Sequence, residues 1–333
     1  MRLLIDNQAH LYPASHLPGA VLNEIKRRLT FTNPQWEENE RRGFSNWQTP
    51  QELCYLEDHG ARLTMPRGFS RQLVGILQRA GVQYRIDDHR GTLVPVDFTF
   101  KGELHPFQTQ AVEAVLSRDF GSLAAPPGSG KTIMALALIA MRRQPALIVV
   151  HTRELMEQWI SRIETFLGIP AGQVGRIGGG KMVVGDRVSV GLVQSLYQRA
   201  DEIAPYVGHL VVDECHRAPS RTFTEAVSAF DCRYMTGLSA TPWRRDGLSR
   251  LIYWYLGDKV HEVDQEVLEE AGHVLRAEVI WRPADFEPTF DGSTEYSQML
   301  SELTKDPARN ALLAADVAQE AQGNAPGGLP GTE

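Results

Sequence analysis

The sequence predicts an α/β protein: a parallel sheet with helices on both faces, preceded by a small α+β domain. Three observations predict it. From about residue 101, short apolar strand-like runs recur at 122–125, 146–150, 188–193, 210–212 and 234–238, with helical stretches between most of them. Strands that alternate with helices build a parallel sheet covered on both sides. The first of these strands runs through a glycine-rich turn straight into the apolar helical stretch 132–141, TIMALALIAM. Residues 1–100 lack this rhythm and mix short alternating runs with one or two amphipathic helices.

The first 100 residues read as an accessory domain. The stretch 53–64 (LCYLEDHGARLT) predicts a hairpin around Asp58-His59-Gly60, and 70–79 (SRQLVGILQR) has helical spacing at Leu73, Ile76 and Leu77. The α/β rhythm spans 101–257. Residues 258–333 form an acidic segment with an acidic helix-like run, one strand within 277–283 and an Ala-rich helix at 306–322. It closes on a linker-like composition, GNAPGGLPGTE.

Composition bounds the function. With 333 residues, 42% hydrophobic and 23% charged, the chain can bury a sizeable core. Its three cysteines, Cys54, Cys215 and Cys232, are too few and too scattered for a disulfide framework or a zinc site. The longest apolar run, 133–141, is far short of the roughly 20 residues that span a bilayer, and the N-terminus lacks the pattern of a signal peptide. The expectation is a cytoplasmic protein with no membrane partner. Net charge is −7 but uneven: residues 1–100 carry 12 Lys/Arg against 11 Asp/Glu, 101–250 carry 17 against 14, and 251–333 carry 5 against 16. The mildly basic front three quarters leave room for a local phosphate-binding groove.

Two glycine-rich loops compete for phosphate. Residues 125–132 read APPGSGKT and 175–181 read GRIGGGK. A phosphate loop needs a strand to deliver it, a helix whose N-terminus offers free N–H groups and a positive dipole end, and a hydroxyl after the lysine for Mg²⁺. The first loop has all three, with Pro127, Gly128, Ser129, Gly130, Lys131 and Thr132 forming the cradle. The second has Met182 in place of the hydroxyl, and its flanks alternate like the strands of a hairpin, so Gly178-Gly179-Gly180 reads as a tight turn.

Some 80 residues on, 210–214 (LVVDE) is an apolar strand ending in two acids. Asp213 can hold Mg²⁺ together with Thr132, and Glu214 can orient and deprotonate an attacking water. The plain alternative is a strand end with solvated acids.

Here the chain resembles superfamily 2 DExH helicases, in the branch of restriction subunits and repair helicases. Asp213-Glu214-Cys215-His216 fits the D-E-x-H box, and 125–132 fits the A-x-x-G-x-G-K-T loop common there. Leu104-His105-Pro106-Phe107-Gln108 resembles the adenine-reading Q motif, His151-Thr152-Arg153-Glu154-Leu155 motif Ia, Val193-Gln194-Ser195-Leu196 motif Ib, and Ser239-Ala240-Thr241-Pro242 with 243–247 motif III. The resemblance covers about 101–250. It implies a RecA-like lobe that binds ATP and Mg²⁺, with Lys131, Asp213, Glu214 and His216 as catalytic residues and Gln108 on the adenine. It implies Thr152, Arg153, Gln194 and Ser195 on a nucleic-acid strand, and Ser239, Ala240 and Thr241 coupling the two sites. Each has a plainer alternative: Gln108 as a helix-start residue, and the hydroxyls of Thr152, Ser195, Ser239 and Thr241 as caps. Trp159 reads as packing rather than a base-stacking platform, and Cys215 as inert.

In that superfamily a second lobe closes over ATP and supplies an arginine finger. No such lobe is legible after residue 247, and 306–310 resembles the helix that leads into one. The expectation is therefore a DNA helicase or translocase carrying lobe one, short of lobe two or of a partner subunit that supplies it, and weakly active alone. The competing readings are a regulatory ATP- or DNA-binding fragment without productive turnover, and a small-molecule kinase, which the D-E-x-H box argues against. DNA is the expected partner, with RNA open because strand contacts in this class are mainly to backbone.

Overall fold

The computed structural model describes residues 1–321 apart from 218–220, 241–248, 271, 273–280, 285 and 293–294. It divides into two compact units, Met1–Leu275 and Arg276–Glu333. Thr241 and the rest of the expected motif III, 242–247, lie outside the described residues. So do the linker-like end and most of the strand expected at 277–283.

The first 100 residues build a five-stranded sheet. β1 (Arg2–Ile5) pairs antiparallel with β2 (Gln8–Tyr12). A separate ribbon of β3 (Thr30–Thr32) and β4 (Glu52–Cys54) follows. β5 (Glu57–Asp58) and β6 (Leu63–Pro66) form the expected hairpin, and β7 (Arg85–Asp88) runs parallel to β1. The order is β5-β6-β2-β1-β7. Strand periodicity sends Leu3, Ile5, Ala9, Leu11, Leu63 and Met65 to one face. There they share a core with Val21 and Ile25 of helix α1 (Gly19–Arg28) and with Leu73, Ile76 and Leu77. Between β3 and β4 lies α2 (Pro34–Arg42), and the last three apolar residues belong to α3 (Ser70–Arg79), the helix expected from their spacing.

After α4 (Pro106–Leu116) the chain alternates: β8 (Phe120–Ala124), α5 (Lys131–Arg142), β9 (Ala146–Val150), α6 (Arg153–Leu167). The loop read above as a tight turn is one: β10 (Gly175–Gly178) returns antiparallel as β11 (Lys181–Val183). Then come β12 (Val188–Leu192), α7 (Val193–Leu196), α8 (Ala200–Ile203), β13 (His209–Val212), α9 (Arg221–Ser228), β14 (Tyr234–Ser239), α10 (Ser249–Leu256), β15 (Lys259–Glu262) and α11 (Gln265–Glu270). The eight strands order as β11-β10-β12-β9-β13-β14-β8-β15, parallel except for β11. The sheet thus takes in 259–262, just past the boundary expected at 257.

Both faces are buried, as an interior parallel sheet requires. Along β9, Ala146, Ile148 and Val150 face α4, α5 and α6, while Leu147 and Val149 face α7–α10. The run 134–139 of α5 is fully covered, and each large apolar side chain so buried contributes about 1.5–3 kcal/mol.

At the start of β13, buried His209 has Nε2 2.9 Å from Arg142 Nη1 and 3.0 Å from Thr236 Oγ1. Burial pulls the Arg142 guanidinium down to about 10. Burial, with that cation alongside, holds His209 well below its ordinary value, so the ring is neutral.

The N-terminal sheet and the parallel sheet share α10. Its Leu251 and Trp254 belong to the N-terminal core, and its Ile252 and Leu256 to the parallel-sheet core. Trp254 also lies 5.8 Å from the ring of Phe31 and 5.4 Å from that of Tyr55. The approach is so close at Gly68 that a Cβ there would stand 2.6 Å from Trp254 O and 2.7 Å from Gly257 N. Beside it, buried Arg67 donates to Asp6 O and Cys232 O and abuts Met235 Sδ.

In the second unit α12 (Tyr296–Lys305) and α13 (Pro307–Ala321) follow each other, with Asp306 Oδ1 accepting from Arg309 N at 2.6 Å. Among the described residues no helix is long and apolar enough to cross a membrane.

Candidate nucleotide and nucleic-acid site

The carboxyl ends of parallel strands are where an open α/β sheet presents its ligand site, and the expected residues gather along this rim. At the end of β8 the backbone N–H of Ala125 donates to Ser239 O at 2.9 Å, which fixes the phosphate loop against the end of β14. Gly128 and Gly130 take left-handed backbone, with φ of 83° and 79°. Gly130 is also packed against the Gln108 amide, where a side chain would press on Nε2. The loop opens onto α5, whose first turn has no side-chain cap. Free N–H groups at a helix start attract phosphate. Ser129 Oγ, fully buried in this loop, has no hydrogen-bond partner among the described residues. Lys131 Nζ donates to Ala125 O at 3.1 Å, folded back along the loop.

Gln108 is buried, and both ends of its amide are engaged. Its Oε1 accepts from His105 N at 3.0 Å, and its Nε2 donates to Ser129 O at 2.9 Å. In this arrangement it braces the phosphate loop and caps the start of α4.

β13 delivers the two acids. Asp213 extends the ladder by donating from its N–H to Val149 O at 3.0 Å. Its carboxylate accepts from Glu214 N at 2.9 Å on Oδ1 and from Trp159 Nε1 at 2.8 Å on Oδ2. Burial pushes the Asp213 carboxyl up, and the Trp159 donor opposes that push; Lys131 nearby adds to the opposition. Glu214 carries φ of 48°, an uncommon backbone for a non-glycine residue. His216 Nδ1 lies 3.1 Å from Ser239 Oγ and 3.1 Å from Glu214 Oε2, so it spans the acid pair and the end of β14. Cys215 is fully buried, and burial pushes its thiol up, out of reactive range.

The nucleic-acid candidates lie on the neighbouring stretch of the same rim. Thr152 follows β9 and Gln194 follows β12, and Val150 and Leu192 are paired partners. Thr152 Oγ1 accepts from Leu155 N at 3.2 Å and so caps α6. Arg153 is exposed at the first position of α6, beside Gly179 of the β10–β11 turn. Gln194 is exposed and Ser195 half-buried on α7. Ser239 ends β14 and joins the phosphate loop to His216, and Ala240 follows it in the chain.

Comparison with known proteins finds similarity over the segment that carries this rim. Residues 101–244 match the family model described as type III restriction enzyme, res subunit. The chain is 35% identical over 168 residues to the DNA 3'-5' translocase XPB2 of Sulfurisphaera tokodaii, covering 50% of this chain and 37% of that protein. Residues 101–244 are thus similar to superfamily 2 DExH helicases in the region of their first lobe. Two further proteins named as helicases are similar to it. The probable helicase D10 of Escherichia phage T5 is 30% identical over 185 residues, 56% of this chain and 40% of that protein. In fold, the UvsW helicase from bacteriophage T4 superposes with a TM-score of 0.60 at 18% identity, covering 78% of this chain and all of that one. The matched segment spans about two fifths of the two curated helicases named here.

Sequence reasoning missed the role of the Trp159 N–H. A signal was present. Trp159 lies on the buried stripe of α6 with Met156, Ile160, Ile163 and Leu167, and a buried indole N–H usually finds an acceptor.

The residues fit ATP with Mg²⁺. The loop supplies a glycine cradle, uncapped N–H groups, a buried hydroxyl and a lysine. Thr132 and Asp213 supply the hard oxygen donors that Mg²⁺ takes together with nucleotide phosphates.

Proposed function

We propose that this chain binds Mg²⁺-ATP on the 125–132 loop as the first lobe of an ATP-dependent DNA translocase or helicase. The observation that carries the reading is the unbroken run of contacts along the rim, from Gln108 through the phosphate loop and Ser239 to His216, Glu214 and Asp213.

In this reading Lys131 turns from Ala125 O to the nucleotide phosphates, and Gln108 keeps the loop in register with the adenine side. Thr132 and Asp213 would hold Mg²⁺, which would supply charge neutralisation at the phosphates when bound. Glu214 orients the attacking water and takes its proton, and His216 with Ser239 carries the state of the nucleotide to the strand-binding side. Thr152, Arg153, Gln194 and Ser195 meet the backbone of a DNA strand, and the N-terminal domain contributes recognition of DNA or of a partner. Full turnover calls for a second RecA-like lobe that brings an arginine, a contribution of about 10³–10⁵ in rate in related NTPases.

The test is nucleotide binding and ATP hydrolysis with and without DNA. Wild type should bind a fluorescent ADP analogue, Lys131→Ala should not, and turnover should stay below about 1 s⁻¹ until a second lobe is added. Equal affinity in Lys131→Ala would overturn the assignment of the loop. Hydrolysis that DNA does not stimulate, with no salt-dependent binding of single-stranded DNA, would favour a nucleotide-binding regulatory part over a translocase.

A further inference from the structure

Asp213 is the buried carboxylate of the rim, 7% exposed. A carboxylate offers about four lone-pair sites. Two are taken, one on each oxygen, by the N–H of Glu214 and by the indole of Trp159. The terminal torsion of an aspartate is broad and twofold, so nothing intrinsic fixes the plane of its carboxylate. Two donors on opposite oxygens do fix it. One is local, supplied by the neighbouring peptide. The other comes from a different element, 54 positions earlier in the chain.

We propose that Trp159 is a positioning residue for Mg²⁺. Its N–H sets the plane of the Asp213 carboxylate, and so the direction of the oxygen lone pairs left for the metal. This rests on the nucleotide reading above. The rest of the indole packs in the core among α5, α6 and β9, a task that any large aromatic side chain performs. The N–H is what only tryptophan supplies there. Groups that orient a metal-binding side chain from behind change metal affinity 10–100-fold when removed. With a single donor lost and the Glu214 N–H retained, the lower end applies, about tenfold.

The placement gives the contact a second consequence. Trp159 lies seven residues beyond Thr152, two helical turns or about 10 Å along α6. The helix whose N-terminus bears the strand-contact candidates Thr152 and Arg153 is therefore the one that orients the metal ligand. A displacement of α6 reaches the carboxylate through one hydrogen bond.

The test uses the whole chain with Trp159→Phe, which keeps the ring and removes the donor. Binding of a fluorescent ADP analogue is measured with chelator present and over a Mg²⁺ series. The expected result is affinity within twofold of wild type in chelator, and a Mg²⁺ half-saturation about tenfold higher. An unchanged Mg²⁺ half-saturation would overturn this inference alone. An equal loss with and without metal, together with a lower melting temperature, would do so too, since it marks packing. Failure of wild type to bind the nucleotide at all would overturn the nucleotide reading, and this inference with it.

If Trp159→Phe does not fold, indole ¹⁵N–¹H spectra of the unaltered chain decide. Of the six tryptophans, one exchange-protected indole should shift when Mg²⁺ is added to the ADP-bound protein. No protected indole moving would refute the proposal.

Discussion

Gly68→Ala tests whether the N-terminal domain and the parallel sheet are held as one body. The added methyl would meet three backbone atoms, Tyr253 O, Trp254 O and Gly257 N, the last two at 2.6 and 2.7 Å. Ordinary contact begins at 3.4 Å, so α10, whose Tyr253 O is the nearest of the three, must retreat by about 1 Å. Backbone atoms cannot rotate aside as a side chain can. The cost therefore falls at the upper end of the overpacking range, about 3 kcal/mol. For a unit of this size that lowers the melting temperature by about 5 °C. Gly19→Ala serves as the control, because a methyl there meets nothing within 4 Å. Circular dichroism melts of both variants are the assay, with nucleotide affinity as a second readout. That affinity should hold within twofold in Gly68→Ala, since the contact lies away from the phosphate rim. A melting temperature within 1 °C of wild type would refute the close-packed junction.

Glu214→Gln should bind ATP as wild type does and lose about 10²–10⁴ in turnover; hydrolysis assays that show retained turnover would remove Glu214 from the role of base. Arg153→Ala should weaken single-stranded DNA binding and reduce the salt slope of log affinity by about 0.7, read from titrations at several ionic strengths; an unchanged slope would take Arg153 off the strand. His209 supplies a pH test. Its folded ring stays neutral below the pH at which the unfolded ring gains a proton. Its contribution is therefore complete above about pH 6.5 and is lost as pH falls below that value. Urea midpoints should fall from pH 7 to 5, and His209→Asn should flatten that fall by up to about 1.4 kcal/mol per pH unit; equal slopes in both proteins would refute the buried neutral ring.

The elements that sequence made legible are those whose residues carry local chemistry. β9 and β12 are runs of apolar residues bounded by polar turns, and α5 follows a glycine loop that needs a helix start. The choice between the two glycine loops was also local, since the flanks of 178–180 alternate as strands do and the structure folds them as β10 and β11. Other features depend on partners distant in sequence. β15 (KVHE) has no apolar run, and it is a strand because β8 offers an open edge. α10 (SRLIYWYL) is apolar on two sides, and only tertiary packing shows that each side belongs to a different core. The Trp159 stripe was readable, but its acceptor 54 residues away was not. For Gln108 the helix-start bond to His105 N, three residues away, is the local pattern of a capping box, whereas its bond to Ser129 O, 21 residues away, comes from packing that spacing does not encode.

The rim of the sheet holds the phosphate loop at β8 and the strand-contact candidates at β9 and β12, and α6 reaches from one to the other through Trp159. Linkage makes such a connection work in both directions. If a bound strand shifts α6 so that Asp213 holds Mg²⁺ fivefold more tightly, then Mg²⁺ must tighten the strand fivefold. That factor is close to 1 kcal/mol of coupling free energy. A single indole hydrogen bond is of the size to carry it. Grip on the track and grip on the fuel would then rise and fall together, so release of the metal with spent nucleotide would also loosen the lobe from its strand.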